Sequence, residues 1–120
     1  MPRHTRALLV IAVLTSLYAF AADFSGKWTS DGSDSVGGIF VVLRQDGTHL
    51  SGSAGPNASR QFPILSGSVK GDHLSFEVKM GGGTIRFDLV SARAELKGTS
   101  YLSEDDGHTD SMDVVLKRIP

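Results

Sequence analysis

Leu74-Ser75-Phe76-Glu77-Val78-Lys79 and Ile85-Arg86-Phe87-Asp88-Leu89 carry an apolar residue at every second position, the period that sends alternate side chains to opposite faces of a strand. Neither run has the spacing of an amphipathic helix. Gly81-Gly82-Gly83 separates them and suits a hairpin connection, since glycine accepts positive φ. Working outward, Asp31-Gly32, Asp46-Gly47, Gly71-Asp72 and Asp106-Gly107 break the chain at further turn signals. The pattern predicts eight strands, at about 24–30, 36–45, 48–55, 61–70, 73–79, 84–91, 94–102 and 109–118. Eight strands over about 100 residues is the density of an all-β barrel or sandwich and leaves no room for crossover helices. Successive strands therefore pair antiparallel.

A weak internal repeat points to a meander. Gly47-Thr48-His49-Leu50-Ser51-Gly52, Gly71-Asp72-His73-Leu74-Ser75-Phe76 and Arg93-Ala94-Glu95-Leu96-Lys97-Gly98 each place a turn, a leucine and a second inward position, at spacings of 24 and 22 residues. Such hairpins cannot bury an apolar face alone. Curling the row until the first strand meets the last encloses a core and removes the unpaired edges. The expected fold is an eight-stranded antiparallel up-and-down barrel following an N-terminal signal helix, with an open sandwich as the alternative.

The first 21 residues read as a secretory leader. Arg3 and Arg6 supply the positive start, Ala7 to Leu17 the apolar run, and Ala19-Phe20-Ala21 the small-x-small cleavage pattern. That run is shorter than the roughly 20 residues that cross a bilayer. The expected domains are thus a signal peptide over 1–21 and one barrel over 22–120, with cleavage after Ala21 and a secreted or periplasmic location. The 120-residue chain has 12 Lys+Arg against 13 Asp+Glu, 14 glycines and no cysteine. Those figures exclude a disulfide scaffold, a cysteine nucleophile and a zinc ribbon, and no charge excess points to nucleic acid. Losing Arg3 and Arg6 leaves the exported part mildly acidic.

The two ends of the exported part carry a family resemblance. Gly26-Lys27-Trp28, just inside the first strand, resembles the Gly-x-Trp signature of the calycin superfamily, the lipocalins, avidins and fatty-acid-binding proteins. Arg118, in Val114-Val115-Leu116-Lys117-Arg118, resembles the arginine that this superfamily lays across the tryptophan to close one barrel end. The resemblance implies a lipocalin-like barrel with Gly26, Trp28 and Arg118 as its structural closure. Thr109-Asp110 is followed by Ser111 where the lipocalin motif has a tyrosine, and Trp28 is the only tryptophan, so a biotin site of avidin type is not implied. Independently of any family, an indole is the largest apolar plug available to a small barrel. A guanidinium over its face adds about 0.5 to 2 kcal/mol of cation–π attraction.

Strand parity turns Trp28, Ile39, Val41, Leu43, Leu50, Leu65, Val69, Leu74, Phe76, Val78, Ile85, Phe87, Leu89, Leu96, Met112, Val114 and Leu116 inward. None is charged. A barrel of eight strands is wide enough either to be filled by its own side chains or to hold one small guest. If a guest enters, Val41, Leu43, Leu50, Phe76, Phe87, Leu89, Met112 and Val114 are the expected ligand-binding residues. It should be small, apolar and uncharged, since no mid-barrel Arg or Lys is available to pair a carboxylate. Gly52, Gly67 and Gly98 share the inward parity, where they either leave room for the guest or let strongly coiled strands bend.

Groups that could carry chemistry are sparse. His49 and His73 each precede an inward leucine and point outward, and no Gly-x-Ser-x-Gly elbow organises the serines. Glu104-Asp105-Asp106-Gly107-His108-Thr109-Asp110 is dense in oxygen ligands but lacks the alternating order of a calcium loop and reads as a solvated turn. Neither a metal nor a cofactor is implied, and no enzyme is expected. Asn57-Ala58-Ser59 is a formal glycosylation sequon, meaningful only in a glycosylating host. Outward Lys27, Arg44, Glu77, Lys79, Arg86, Asp88, Glu95 and Lys97 argue against a membrane-spanning barrel. Outward Phe40, Val42, Tyr101 and Val115 offer at most a modest contact surface.

The sequence therefore points to an exported binding module whose open end, opposite Trp28, accepts a small hydrophobic molecule or a partner. The alternative is a solid-core structural or interaction domain that presents loops 31–37, 55–61 and 80–84 to a protein or glycan. Oligomeric state leaves no trace in these residues.

Overall fold

The computed structural model describes residues 23–30 and 38–120. The expected signal segment and the loop 31–37 lie outside the described residues. Eight strands, β1 (Gly26–Thr29), β2 (Phe40–Asp46), β3 (His49–Asn57), β4 (Arg60–Lys70), β5 (His73–Met80), β6 (Gly83–Ala92), β7 (Glu95–Glu104) and β8 (Thr109–Ile119), follow one another around a closed antiparallel barrel. No helix occurs among the described residues. β1 meets β8 through Lys27↔Ile119, Trp28↔Arg118 and Thr29↔Lys117. That closure decides for the barrel over the open sandwich and satisfies backbone groups that a sheet margin would leave to solvent.

Meander topology sorts the connections. The β2–β3, β4–β5 and β6–β7 turns gather at one end, the base, together with the entry to β1 and the exit from β8. The β1–β2, β3–β4, β5–β6 and β7–β8 connections gather at the other end, the mouth. Most tight turns carry the glycine that the sequence shows, but β3–β4, with Ala58 and Ser59, and β6–β7 do not. Ala92 pairs with Glu95, and the two residues between them, Arg93 (φ 51°) and Ala94 (φ 66°), occupy the left-handed region with side chains in place.

The interior is packed from the base upward. Leu50, Leu74, Leu89, Leu96 and Leu116 are fully buried together with Val41, Val78, Val114, Phe76 and Phe87. Phe76 and Phe87 face each other across β5 and β6 and stack with ring centroids 4.8 Å apart at 19°. Phe24 and Ala54, which strand parity did not include, complete the core. Ile39 and Ile85 are half-buried against it, nearer the mouth.

Leu65 corrects the expected inward set: it is 60% exposed. β4 pairs Ile64 with Val78 and Ser66 with Glu77, so Leu65 is the extra residue of a bulge. One inserted residue reverses the alternation, and the inward side of β4 runs through Phe62 and Ile64 before the bulge and Val69 after it.

The three inward-parity glycines are explained by crowding. A Cβ on Gly52 would be driven into the Val42 carbonyl, and one on Gly98 into the Asp88 carbonyl. On Gly67 it would lie 2.6 Å from the Leu50 carbonyl oxygen. Neighbouring backbone, and not a guest, occupies the space where these side chains would begin.

Candidate binding site

The base is sealed by a short network built on the residues leading into β1. Arg118 stands over Trp28 with its guanidinium carbon 4.4 Å from the ring centroid. Its Nη1 donates to the Ser25 carbonyl at 2.6 Å and its Nη2 to the Asp23 carbonyl at 3.1 Å. Trp28 Nε1 donates to the Phe24 carbonyl at 3.0 Å, so the buried indole keeps its one polar bond. The Phe24 N–H in turn donates to Gln45 Oε1, while the Gln45 N–H donates to Ser25 Oγ, which ties the leading segment to the end of β2. Gly26 has φ +142°, and a Cβ there would sit 2.7 Å from Arg118 Nη1. A glycine two residues before the tryptophan thus leaves the room the guanidinium needs to lie flat.

Asp23 caps this segment by accepting the Ser25 N–H. That hydrogen bond, followed by one from the Ser25 hydroxyl and the smaller attraction of Arg118, holds the Asp23 carboxyl below its ordinary range.

The opposite end is hollow. A pocket of about 390 Å³ opens at the mouth, with walls of Ile39, Pro56, Phe62, Met80, Ile85, Phe87 and Met112. Strand alternation brings these side chains in, and none of the described residues fills the space between them. Ser100 forms part of the floor; it is only 6% exposed, and its hydroxyl has no hydrogen-bond partner among the described residues. Arg60 stands at the rim, its guanidinium carbon 5.9 Å from the Phe62 ring centroid. An adjoining cleft of about 380 Å³ shares Ile85, Ser100 and Met112 and extends along β7 and β8 to Leu102 and Asp110. A third hollow, about 540 Å³ around Arg86, Tyr101 and Ser111, lies along the outer wall and is predominantly polar.

Of the residues expected to bind a guest, Phe87 and Met112 line the mouth pocket. Val41, Leu43, Leu50, Phe76, Leu89 and Val114 lie below it in close-packed core. Sequence reasoning missed Pro56, Arg60, Phe62, Met80 and Ser100. Ser100 and Met80 were legible by parity, since they continue the Leu96-Gly98 and Phe76-Val78 series, whereas Phe62 was hidden by the bulge. The loops 55–61 and 80–84, considered as outward contact loops, supply Pro56, Arg60, Met80 and Gly81 to the pocket.

The remaining polar candidates are dispersed. His49 and His73 are exposed near the base, His73 Nδ1 lying 3.2 Å from Asp72 Oδ1. In the acidic β7–β8 hairpin, Glu104 N–H donates to the His108 carbonyl and His108 N–H to Asp106 Oδ1, while Asp105 N–H donates to Gly82 of the neighbouring turn. Asn57 of the sequon is bound into its own turn, its Oδ1 accepting the N–H groups of Ser59 and Arg60. No group of three or more metal-ligating side chains occurs among the described residues. Tyr101 is exposed on the outer wall beneath the Arg86 guanidinium, 4.8 Å from its centroid, while Phe40, Val42 and Val115 are half-buried.

Fold and hollow together define an antiparallel barrel of eight strands, closed at the base by Trp28 and, among the described residues, hollow at the mouth. No family model, no curated protein and no solved structure matches this chain.

Proposed function

We propose that this protein is an exported, lipocalin-like binding module that takes a small, largely apolar molecule into the mouth of its barrel and performs no chemistry on it. The observation that carries the reading is the mouth pocket: about 390 Å³, walled mainly by hydrocarbon and thioether groups, at the end away from the Trp28 plug. Its volume falls in the roughly 300 to 1,000 Å³ range of small-molecule sites. Concave apolar walls with few polar groups favour burial of an apolar body, at about 25 cal/mol per Å² removed from water. The Ser100 hydroxyl on the floor offers one directional hydrogen bond to such a body. The closed eight-strand meander and the Trp28–Arg118 pair support the calycin resemblance, and the leader-like pattern over 1–21 supports export.

Native mass spectrometry of the protein purified from an exporting host is the direct test. A co-purifying small molecule, lost in a Ser100→Leu variant whose side chain fills the floor, is the expected result. No adduct, together with no thermal shift across a panel of lipids and apolar metabolites, would overturn the proposal.

A further inference from the structure

On the outer wall three neighbouring strands set outward residues side by side: Arg86 of β6 pairs with Tyr101 of β7, and Tyr101 with Ser111 of β8. The Tyr101 ring is exposed, yet a chain of contacts fixes it. The Ser75 hydroxyl donates to Asp88 Oδ1 at 3.0 Å, Asp88 Oδ2 lies 3.2 Å from Arg86 Nη2, and the Arg86 guanidinium carbon lies 4.8 Å from the ring centroid. Arg86 therefore backs one face of the ring. Ser111, the neighbour on the other side, ends at its hydroxyl and is too short to cover the second face. The ring borders the hollow of about 540 Å³ along β7 and β8, completed by Ser103, Thr109 and Asp110. Among the described residues the hydroxyls of Tyr101, Ser103, Thr109 and Ser111 have no hydrogen-bond partner.

We infer that this hollow is a second binding site and that it takes a neutral glycan, one sugar ring lying with its C–H face on Tyr101 and its hydroxyls against those of Ser103, Thr109 and Ser111. The site shares no lining residue with the mouth pocket, so it stands independently of the mouth reading. An aromatic face is the negative side of the ring quadrupole and attracts the weakly positive C–H groups of a pyranose. Serine and threonine hydroxyls both donate and accept, as sugar hydroxyls do. An organic cation is opposed by Arg86, already against the ring, and an anion by Asp110. A hydrocarbon would bury the hydroxyls without partners. A platform held in place before binding loses little freedom when its ligand arrives.

Amide proton–nitrogen correlation NMR of the protein purified from an exporting host tests the inference. The probes are cellotriose, maltotriose and chitotriose, with sorbitol, choline and adenosine monophosphate as controls. Saturable shifts of the Tyr101, Ser103 and Ser111 amides with at least one trisaccharide are expected, and none with sorbitol, which has no ring face. Tyr101→Ala should weaken that binding about tenfold, while Tyr101→Phe keeps the platform and most of the affinity. Ser111→Leu, whose side chain reaches over the free face, should abolish it. Tyr101 and Ser111 are both exposed, so these exchanges leave the packed core untouched. No saturable shift with any trisaccharide, or an affinity unchanged in Tyr101→Ala, overturns the site. Tighter binding of choline or adenosine monophosphate at the same amides overturns the glycan class.

Discussion

At the scale of single residues, the base carries the largest single plug of the barrel. Trp28 is buried, hydrogen-bonded through Nε1 and covered by Arg118, so Trp28→Ala removes the largest plug and strands the guanidinium. A loss of about 3 to 5 kcal/mol is expected, a large part of the roughly 5 to 15 kcal/mol available to a small domain, and urea unfolding followed by circular dichroism will read it. Leu65 is the control. As an exposed bulge residue its exchange for Thr should alter stability by less than about 0.5 kcal/mol, whereas Leu74→Ala, in the packed core, should cost about 2 to 5 kcal/mol. Asp23 adds a pH dependence whose sign follows from its hydrogen bonds. Its carboxyl is held low in the folded protein, so the folded state favours the ionised form. That stabilisation is present above the ordinary carboxylate range and is lost as pH falls through the folded value. Unfolding midpoints of wild type and Asp23→Asn should therefore converge as acid is added; a constant offset down to acid pH would show that the cap contributes nothing. The inward set read from strand parity was accurate wherever a strand was regular and failed at Leu65, because that inserted residue reverses the alternation within β4, and the parity of Val69 does not carry back to Phe62 and Ile64.

Elements show the same division between local chemistry and what packing imposes. Strands β5 to β8 were legible because their apolar residues alternate cleanly, and glycine marks the turns on either side of β5 and the one before β8. The β6–β7 turn was less legible, since Arg93 and Ala94 hold positive φ without being glycine or asparagine. L-residues in that region cost about 1 to 2 kcal/mol each. Replacing Arg93-Ala94 by Asn-Gly is thus expected to stabilise the fold by about 1 kcal/mol, seen as a higher urea midpoint with an unchanged m-value. The glycines of β3, β4 and β7 could be read from sequence either as room for a guest or as bending points. Only the positions of the adjacent backbones, such as the Asp88 carbonyl against Gly98, separate the two.

For the molecule as a whole, closure is the organising event. β8 supplies Val114 and Leu116 to the core, Arg118 to the plug and the partner strand for β1. Ending the chain at 108 should therefore expose two strand edges, β1 and β7, and yield aggregates by size-exclusion chromatography in place of a monodisperse barrel. Alternating hydrophobicity and turn residues were enough to dictate eight antiparallel strands and the side of each that faces inward, because both are properties of a few consecutive residues. The Trp28 and Arg118 pairing was also foreshadowed, by parity at the two ends. Whether the interior is full or hollow was not, since volume depends on how far strands splay and which side chains reach across them. Six of the eight residues expected to meet a guest are packed solid, and the hollow lies one layer higher, between side chains contributed by strands distant in sequence. Arg60 stands at that rim because the β3–β4 turn is pinned by Asn57 and Gln61, a relation among neighbours in space that no spacing in the chain encodes.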